Sequence, residues 1–271
     1  MNESTTVTES ALRFGFGENW SRFLSVLDHQ RVSMAERSLK EMLSVEDLKD
    51  KTFLDVGCGS GLFSLVARRL GARVYSFDYD PISVGCAREL KRRYCPIDTE
   101  WTITVGSALD NEFLQSLDTF DVVYSWGVLH HTGSMWQAMV NLHQLVKSRG
   151  MLAIAIYNDQ GWKSRYWRLI KRAYNKNPIL SMVLICIHFP YLIGGRWGVR
   201  MLTHRRSHNR GMSLWYDMID WLGGYPFEVA RPEEVHAFHQ ERGFALKRFK
   251  TCGGRHGCNE FLFERKGADF Q

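Results

Sequence analysis

Three glycines at alternate positions, Gly57, Gly59 and Gly61, follow a short apolar run that begins at Phe53. Asp78 closes the next apolar run, about twenty residues further along the chain. Glycines let the backbone turn sharply and approach a ligand closely, and the helix that follows points its N-terminal amides at the same place. A carboxylate at the end of the neighbouring strand can accept hydrogen bonds from both hydroxyls of a ribose. The pattern therefore predicts a site for an adenosine-containing cofactor.

The spacing of the glycines separates two kinds of adenosine cofactor. A nicotinamide site would have the pattern G-x-G-x-x-G, and its last glycine would fall at position 62, which is Leu62. This chain has G-x-G-x-G instead, with Asp55 two residues before the first glycine. An acid there is unsuited to a pyrophosphate and suits a ligand with a cationic amino-acid end, such as S-adenosylmethionine. The alternative interpretation is a structural strand-to-helix turn in another α/β protein.

On these residues the chain resembles the class I S-adenosylmethionine-dependent methyltransferases, over residues 50–157 and 229–266. The resemblance implies an α/β enzyme with a Rossmann-like, doubly wound, mostly parallel seven-stranded sheet and a helical insert after strand five. It also implies S-adenosyl-L-methionine as the cofactor and S-adenosyl-L-homocysteine as the product.

The resemblance also assigns residues to the cofactor site, at the carboxyl ends of the strands. Ser107 and Ala108 would lie near the adenine, although the family often has an acid at position 107. Ser125 and Trp126 would lie against the methionine portion, and Trp20 would belong to a helix that closes the pocket. The predicted cofactor-binding residues are Asp55, Gly57, Gly59, Gly61, Asp78, Ser107, Ala108, Ser125, Trp126 and Trp20.

Two adjacent histidines, His130 and His131, follow strand four and are the candidates for catalysis. Histidine is the natural general base near neutral pH, because its ordinary pKa lies near 6.5. The structural alternative is that one histidine fills the start of a helix and bonds the backbone. No third ligand stands at a convincing spacing, so no metal site is predicted.

Apolar runs and turn residues place these motifs on an alternating series of strands and helices. We predict that Ser134 caps a helix that Gly150 ends, and that a buried fifth strand then covers residues 151–157. Pro232 would open a later helix that stops at Gly243. The other predicted strands cover residues 53–56, 74–77, 101–105, 120–126, 245–251 and 259–265, the last two forming an antiparallel hairpin in the family.

Composition is that of an ordinary soluble globular protein, with 45% hydrophobic and 24% charged residues in 271. Six cysteines without a C-x-x-C pair suggest reduced thiols, and the polar start of the chain does not resemble a signal peptide. We therefore expect a cytoplasmic location, and peripheral attachment to the inner face of a membrane stays open as an alternative. The predicted organisation is an N-terminal helical lid (1–49), a catalytic core (50–158 and 228–271) and an insert (159–227).

The insert is a basic module within an acidic protein. No Asp or Glu occurs from Gln160 to Trp215, and the same stretch holds eleven basic residues. Removing those eleven from the total of 35 leaves 24 basic against 29 acidic residues, a balance of −5. The formal charge of +6 therefore comes from the insert, whose basic residues are Lys163, Arg165, Arg168, Lys171, Arg172, Lys176, Arg196, Arg200, Arg205, Arg206 and Arg210.

The centre of the insert, residues 178–193, is apolar but contains Pro190 and is shorter than a spanning helix. Upstream aromatic residues recur among the basic ones, as in an interfacial helix pair on an anionic bilayer. Three interpretations stay open: a lid or homodimer contact, a peripheral membrane contact, and a charged partner such as nucleic acid.

The core is loosely similar to the ubiquinone-pathway O-methyltransferases, which also carry a helical elaboration after strand five. This implies methyl transfer to a small or lipid-like acceptor, at a hydroxyl oxygen, with a histidine general base. The candidate substrate residues are Tyr157, Arg210, Tyr216 and Asp217. The alternatives are an RNA methyltransferase that uses the basic insert, and an S- or C-methyltransferase of a small molecule.

Overall fold

The computed structural model describes residues 12–194, 214–253 and 257–267, without the side chains of 193, 194, 214–217 and 220. Seven strands form one sheet in the order β3-β2-β1-β4-β5-β7-β6. The first five strands are parallel, and β7 runs antiparallel to both β5 and β6. The strands are β1 (Thr52–Val56), β2 (Arg73–Asp78), β3 (Trp101–Val105), β4 (Phe120–Trp126), β5 (Val146–Tyr157), β6 (Phe244–Lys250) and β7 (Cys258–Arg265).

Helices cover both faces of the sheet, as a parallel sheet requires. Neighbouring β1 residues point to opposite faces, because Phe53 belongs to one apolar cluster and Leu54 to the other. The α-helices are α1 (Phe16–Ser25), α2 (His29–Leu43), α3 (Leu62–Arg69), α4 (Pro81–Tyr94), α5 (Asn111–Gln115), α6 (Met135–His143), α7 (Trp162–Tyr174), α8 (Pro178–Phe189), α9 (Leu214–Gly223) and α10 (Pro232–Gln240).

Most predicted elements are present, and the predicted Rossmann-like, mostly parallel sheet is confirmed. Strands three and four have the predicted bounds, and β6 and β7 form the expected hairpin at one sheet edge. The helix at Pro232 begins as predicted, with the Glu234 carboxylate accepting the N–H of Arg231 at 2.9 Å.

Three predictions around strand five were wrong. Gly150 does not end a helix, because α6 stops at His143 and Gly150 lies inside β5. β5 begins at Val146, which pairs with Phe120 ahead of a register shift in β4. Ser134 precedes α6, but its side chain makes no capping hydrogen bond. A carboxylate from a distant loop takes that role, as described below.

Helices α7, α8 and α9 follow β5, where the insert was predicted. A separate apolar cluster holds them together, built from Trp167, Leu192, Met218, Leu222 and Phe227. Within the described ranges, no helix is long and apolar enough to cross a membrane. The predicted domain boundaries at residues 49, 158 and 227 remain predictions.

Candidate functional site

The glycine-rich turn between β1 and α3 uses the left-handed backbone that only glycine adopts without strain. Gly57, Gly59 and Gly61 have φ angles of 71°, 54° and 78°. A Cβ on Gly57 would lie 2.4 Å from the Val128 side chain, and one on Gly59 would lie 2.8 Å from the Trp20 indole. The turn is therefore packed on both sides at distances that no larger residue permits.

Asp78, at the end of β2, holds this turn from the neighbouring strand. One carboxylate oxygen accepts the Gly59 N–H at 2.9 Å, and the other accepts the Asp80 N–H at 2.9 Å. Burial raises the pKa of Asp78, although these two backbone hydrogen bonds oppose the shift. Because a carboxylate already occupies the Gly59 amide, the turn is unsuited to a phosphate. The lone pairs of the Asp78 carboxylate that these two hydrogen bonds leave unused can accept hydrogen bonds from hydroxyl groups.

Asp55 lies inside the fold, beneath the turn. It is 3% exposed, and the Ser64 hydroxyl of α3 donates to its carboxylate at 2.5 Å. Ser64 also bonds Ser76 at 2.8 Å, and Ser76 accepts the indole N–H of Trp101 at 2.8 Å. Burial raises the pKa of Asp55 to about 7. The contact of Asp55 with the cofactor stays a prediction, since the bonds described here are internal.

The N-terminal helix α1 lies against the turn, where a lid was predicted. Trp20 contacts Gly59, and the Gly17 N–H donates to the Asp80 carboxylate at 2.8 Å. Just before α1, the Arg13 guanidinium donates to the Thr132 carbonyl at 2.7 Å. α1 is thus fixed both at the end of β2 and beside the two histidines.

The other predicted cofactor residues lie at the ends of β3 and β4. The Ser107 hydroxyl accepts the Leu109 N–H at 3.1 Å, and Ala108 is 6% exposed. The Ser125 hydroxyl is fully buried and donates to the Val56 carbonyl at 3.2 Å. Trp126 is half-buried against the core. Their contacts with a cofactor stay predictions.

The two histidines have different surroundings. His131 is half-buried, and its Nδ1 lies 2.7 Å from the Pro226 carbonyl oxygen. His130 is fully buried, and its ring centroid lies 3.9 Å from that of Tyr157. Burial lowers the pKa of His131 to about 3, with the charges of Lys171 and Arg13 adding to the shift. Burial also lowers the pKa of His130 well below its ordinary value. Both rings are neutral at pH 7.

Aromatic rings surround His131. The Phe16 ring centroid lies 5.0 Å from that of His131, and the Tyr157 centroid lies 5.5 Å away. Tyr157 also contacts Trp221 at 5.3 Å and Phe227 at 5.2 Å. The site therefore has flat, apolar walls contributed by α1, β5 and the insert.

Lys171 lies behind these walls and is fully buried. Its ammonium donates to the Trp221 carbonyl and lies 4.4 Å from the Trp221 ring centroid and 4.8 Å from that of Phe227. The predicted substrate residues are Tyr157, described above, and Arg210, Tyr216 and Asp217; Arg210 and the side chains of Tyr216 and Asp217 lie outside the described residues. A metal cluster of three or more His, Cys, Asp or Glu residues is absent from the part of the chain described.

A loop that the sequence analysis did not assign to the site positions the histidines. The Pro226 carbonyl accepts from His131, and the Glu228 N–H donates to the His130 carbonyl at 2.9 Å. The Glu228 carboxylate accepts the Met135 N–H at 3.1 Å and so caps α6. The turn residues Gly223, Gly224 and Pro226 indicate a loop here, but no local motif links that loop to the histidines.

The model of a methyltransferase domain family matches residues 27–193. The chain belongs to this family. The class I resemblance, and with it the predicted assignment to the methyltransferases, is thereby confirmed.

The relatives of this methyltransferase have different acceptors in their names. A ubiquinone biosynthesis O-methyltransferase of Rhodopseudomonas palustris is 28% identical over 130 residues, which are 48% of this chain and 47% of that protein. A tRNA U34 carboxymethyltransferase of Shewanella putrefaciens is 34% identical over 113 residues, or 41% of this chain and 32% of that protein. The methyltransferase therefore spans about half or less of the length of these relatives.

A solved structure matches the methyltransferase over nearly its whole length. The magnesium protoporphyrin IX methyltransferase of Synechocystis, crystallised with bound S-adenosylhomocysteine, has a TM-score of 0.58 at 14% identity. The match covers 97% of this chain and 100% of that one. At this identity the likeness shows the fold alone.

Proposed function

We propose that this methyltransferase transfers a methyl group from S-adenosylmethionine to a phenolic hydroxyl of a small or lipid-like acceptor. His131 is the general base. The observation that carries the proposal is the 2.7 Å contact between His131 Nδ1 and the Pro226 carbonyl. A carbonyl only accepts, so Nδ1 must carry the proton of the neutral ring. The lone pair of Nε2 is then left for the acceptor.

The residues at the ends of the strands are suited to the cofactor. Asp78 would accept the ribose hydroxyls, Gly57, Gly59 and Gly61 would let the backbone approach, and Trp20 would close the pocket. When bound, S-adenosylmethionine supplies an electrophilic methyl group on a sulfonium. Ser107, Ala108, Ser125, Trp126 and Asp55 complete the proposed cofactor-binding set.

The pKa of His131 favours a phenol over an aliphatic alcohol. The surroundings that keep Nε2 unprotonated at pH 7 also disfavour its protonation during the reaction. Such a base assists best where the acceptor proton is already acidic. The flat walls formed by Phe16 and Tyr157 suit an aromatic ring. His130 is fully buried, and we propose that it supports His131 and Tyr157.

An acceptor screen tests this function. The full chain is incubated with S-adenosylmethionine and quinols, phenols, glycans, thiols or tRNA, and release of S-adenosylhomocysteine is measured. We expect turnover with a phenol or quinol, falling about 10²–10⁴-fold in His131→Ala with cofactor affinity kept. The exposed His29, replaced by Ala, is the matched control. Near-normal turnover of His131→Ala on its best acceptor contradicts the proposed base.

A second candidate is methylation of tRNA. It is favoured by the 34% identity to a tRNA U34 carboxymethyltransferase and by the basic insert. Phosphate contacts make such binding strongly dependent on salt. Turnover with tRNA but with no phenol in the screen would select this candidate.

A further inference from the structure

Helix α8 of the insert is apolar on every side and has no charged residue. Its inner face packs on the protein through Leu184 and His188, which are 7% and 6% exposed. Its outer face carries Ile179, Met182 and Ile187, which are 73%, 65% and 63% exposed. A helix that is apolar all round normally buries its whole surface. The outer face of α8 therefore has the composition of a contact surface.

The neighbouring helix α7 also carries exposed apolar side chains. α7 and α8 are joined by a hydrogen bond of 2.8 Å between the Tyr166 hydroxyl and His188 Nε2. On α7, Trp162 and Leu169 are both 67% exposed. We call the combined surface the apolar patch, and its members are Trp162, Leu169, Ile179, Met182, Val183 and Ile187.

Positive charge accompanies the apolar patch on α7 and on the turn that joins α7 to α8. Five basic side chains of α7 and the following turn are exposed, and no Asp or Glu occurs between Gln160 and Trp215. These five are Lys163, Arg165, Arg168, Arg172 and Lys176. Helices α7 and α8 therefore combine exposed apolar side chains with neighbouring basic ones, which is the composition of an interfacial helix on anionic lipid.

We propose that the apolar patch docks on the surface of an anionic phospholipid bilayer. A second copy of this chain would bring the same basic residues against each other. Nucleic acid would use the charges but would leave the aliphatic side chains of α8 in water. A bilayer with anionic headgroups satisfies both. The 12 residues of α8 are too few to span the hydrocarbon core, so the helix lies in the plane of the interface.

A continuous series of aromatic contacts leads from the proposed base to His188, on the inner face of α8. Ring centroids are 5.5 Å apart for His131 and Tyr157, 5.3 Å for Tyr157 and Trp221, and 5.4 Å for Trp221 and Trp167. Trp167 in turn contacts His188 of α8 at 5.3 Å. Docking would therefore place the methyl-transfer site beside the bilayer, which suits an amphipathic acceptor. This last step rests on the proposed function, whereas the docking itself does not.

Vesicle co-sedimentation of the full chain tests the docking. We expect the protein to pellet with vesicles of phosphatidylcholine and phosphatidylglycerol at low ionic strength, and to stay in solution with phosphatidylcholine alone. High ionic strength should weaken the binding. Protein that stays in solution with the anionic vesicles at low ionic strength overturns the proposal. Methyl transfer is not measured, so this result leaves the proposed function intact.

Matched variants test which residues make the contact. Met182→Asp should abolish pelleting, whereas Ile97→Asp, at a site 93% exposed outside the insert, should not. Arg165→Glu with Arg172→Glu should lower vesicle affinity about fivefold or more per residue. Lys49→Glu with Arg92→Glu makes the same charge change outside the insert and should have less effect. Circular dichroism checks that each variant is folded. Equal losses in variants and controls contradict docking through the patch.

Two other outcomes assign the patch differently. If sedimentation velocity without lipid shows a dimer, and Met182→Asp removes that dimer, the patch is a contact with a second copy of the chain. That result overturns the proposal. If the protein binds a short RNA equally well with and without Met182→Asp, and does not bind vesicles, the basic residues serve nucleic acid. That result also overturns the proposal.

Discussion

The two carboxylate oxygens of Asp78 that hold the glycine-rich turn are also the proposed hydrogen-bond acceptors for the ribose hydroxyls. Asp78→Ala should therefore weaken S-adenosylmethionine binding by at least about 100-fold, because each hydrogen bond to a charged acceptor contributes about 1.5–3 kcal/mol. Calorimetric titration measures this affinity. Asp118→Ala removes an exposed carboxylate before β4 and is the control. A folded Asp78→Ala protein with unchanged affinity would refute the assignment.

The pKa of His131 predicts the shape of the pH profile. A base with the ordinary pKa of 6.5 loses about fourfold in its unprotonated fraction between pH 8 and pH 6. With a pKa of about 3, His131 stays unprotonated over that whole range. Turnover at saturating substrates should therefore not fall on the acid side between pH 8 and pH 6. A fourfold loss with an apparent pKa near 6.5 would show that the ring titrates normally.

At the scale of elements, α1 depends on a close approach to α4 that only glycine allows. A Cβ on Gly17 would lie 2.4 Å from the Asp80 carboxylate and 2.6 Å from Ile82. Gly17→Ala should lower the free energy of unfolding by about 1–3 kcal/mol through overpacking. Gly85→Ala in α4 meets nothing within 4 Å and should raise it by about 0.5–1 kcal/mol. Urea unfolding measures both, and effects of the same sign would contradict the packing argument.

The elements that the sequence predicted well are those fixed by local pattern. Strands three and four are runs of β-branched and aromatic residues between turn residues, and their bounds were correct. The predicted junction of α6 and β5 was wrong, because β5 begins where Val146 pairs with Phe120. Phe120 lies 26 positions before Val146. Local helix signals cannot report such a pairing.

The candidate site shows the same division between local and distant causes. The glycine turn and Asp78 are sequence motifs and were found directly. The support of the histidines was missed, because Pro226 lies 95 positions from His131 and Glu228 lies 93 positions from Met135. Only the fold brings these residues together. Ser134 is the local capping candidate, and Glu228 replaces it.

For the whole molecule, buried neutral histidines predict acid sensitivity. Burial lowers the pKa of His239, which stacks on Phe263, to about 4. The unfolded chain binds this proton near pH 6.5, so stability present above that pH is lost as the pH falls toward 4. Between pH 7 and pH 5 this histidine alone should lower the free energy of unfolding by about 2 kcal/mol.

His239→Phe keeps the ring stack and removes the titration. The free energy of unfolding in urea should therefore fall less between pH 7 and pH 5 in this variant than in the original protein. His29→Phe, at an exposed site, should retain the full loss. Identical losses in all three proteins would place the acid sensitivity elsewhere.

The N-terminal segment touches both halves of the site at once. Gly17 is bonded to Asp80 on the cofactor side, while the Phe14 N–H donates to the Tyr225 carbonyl of the insert at 3.0 Å. We infer that both ligands must pass this one segment to reach the site. Turnover would then follow a compulsory order, with the methyl donor loading first and its spent form leaving last. In steady-state kinetics, S-adenosylhomocysteine would compete with the donor alone.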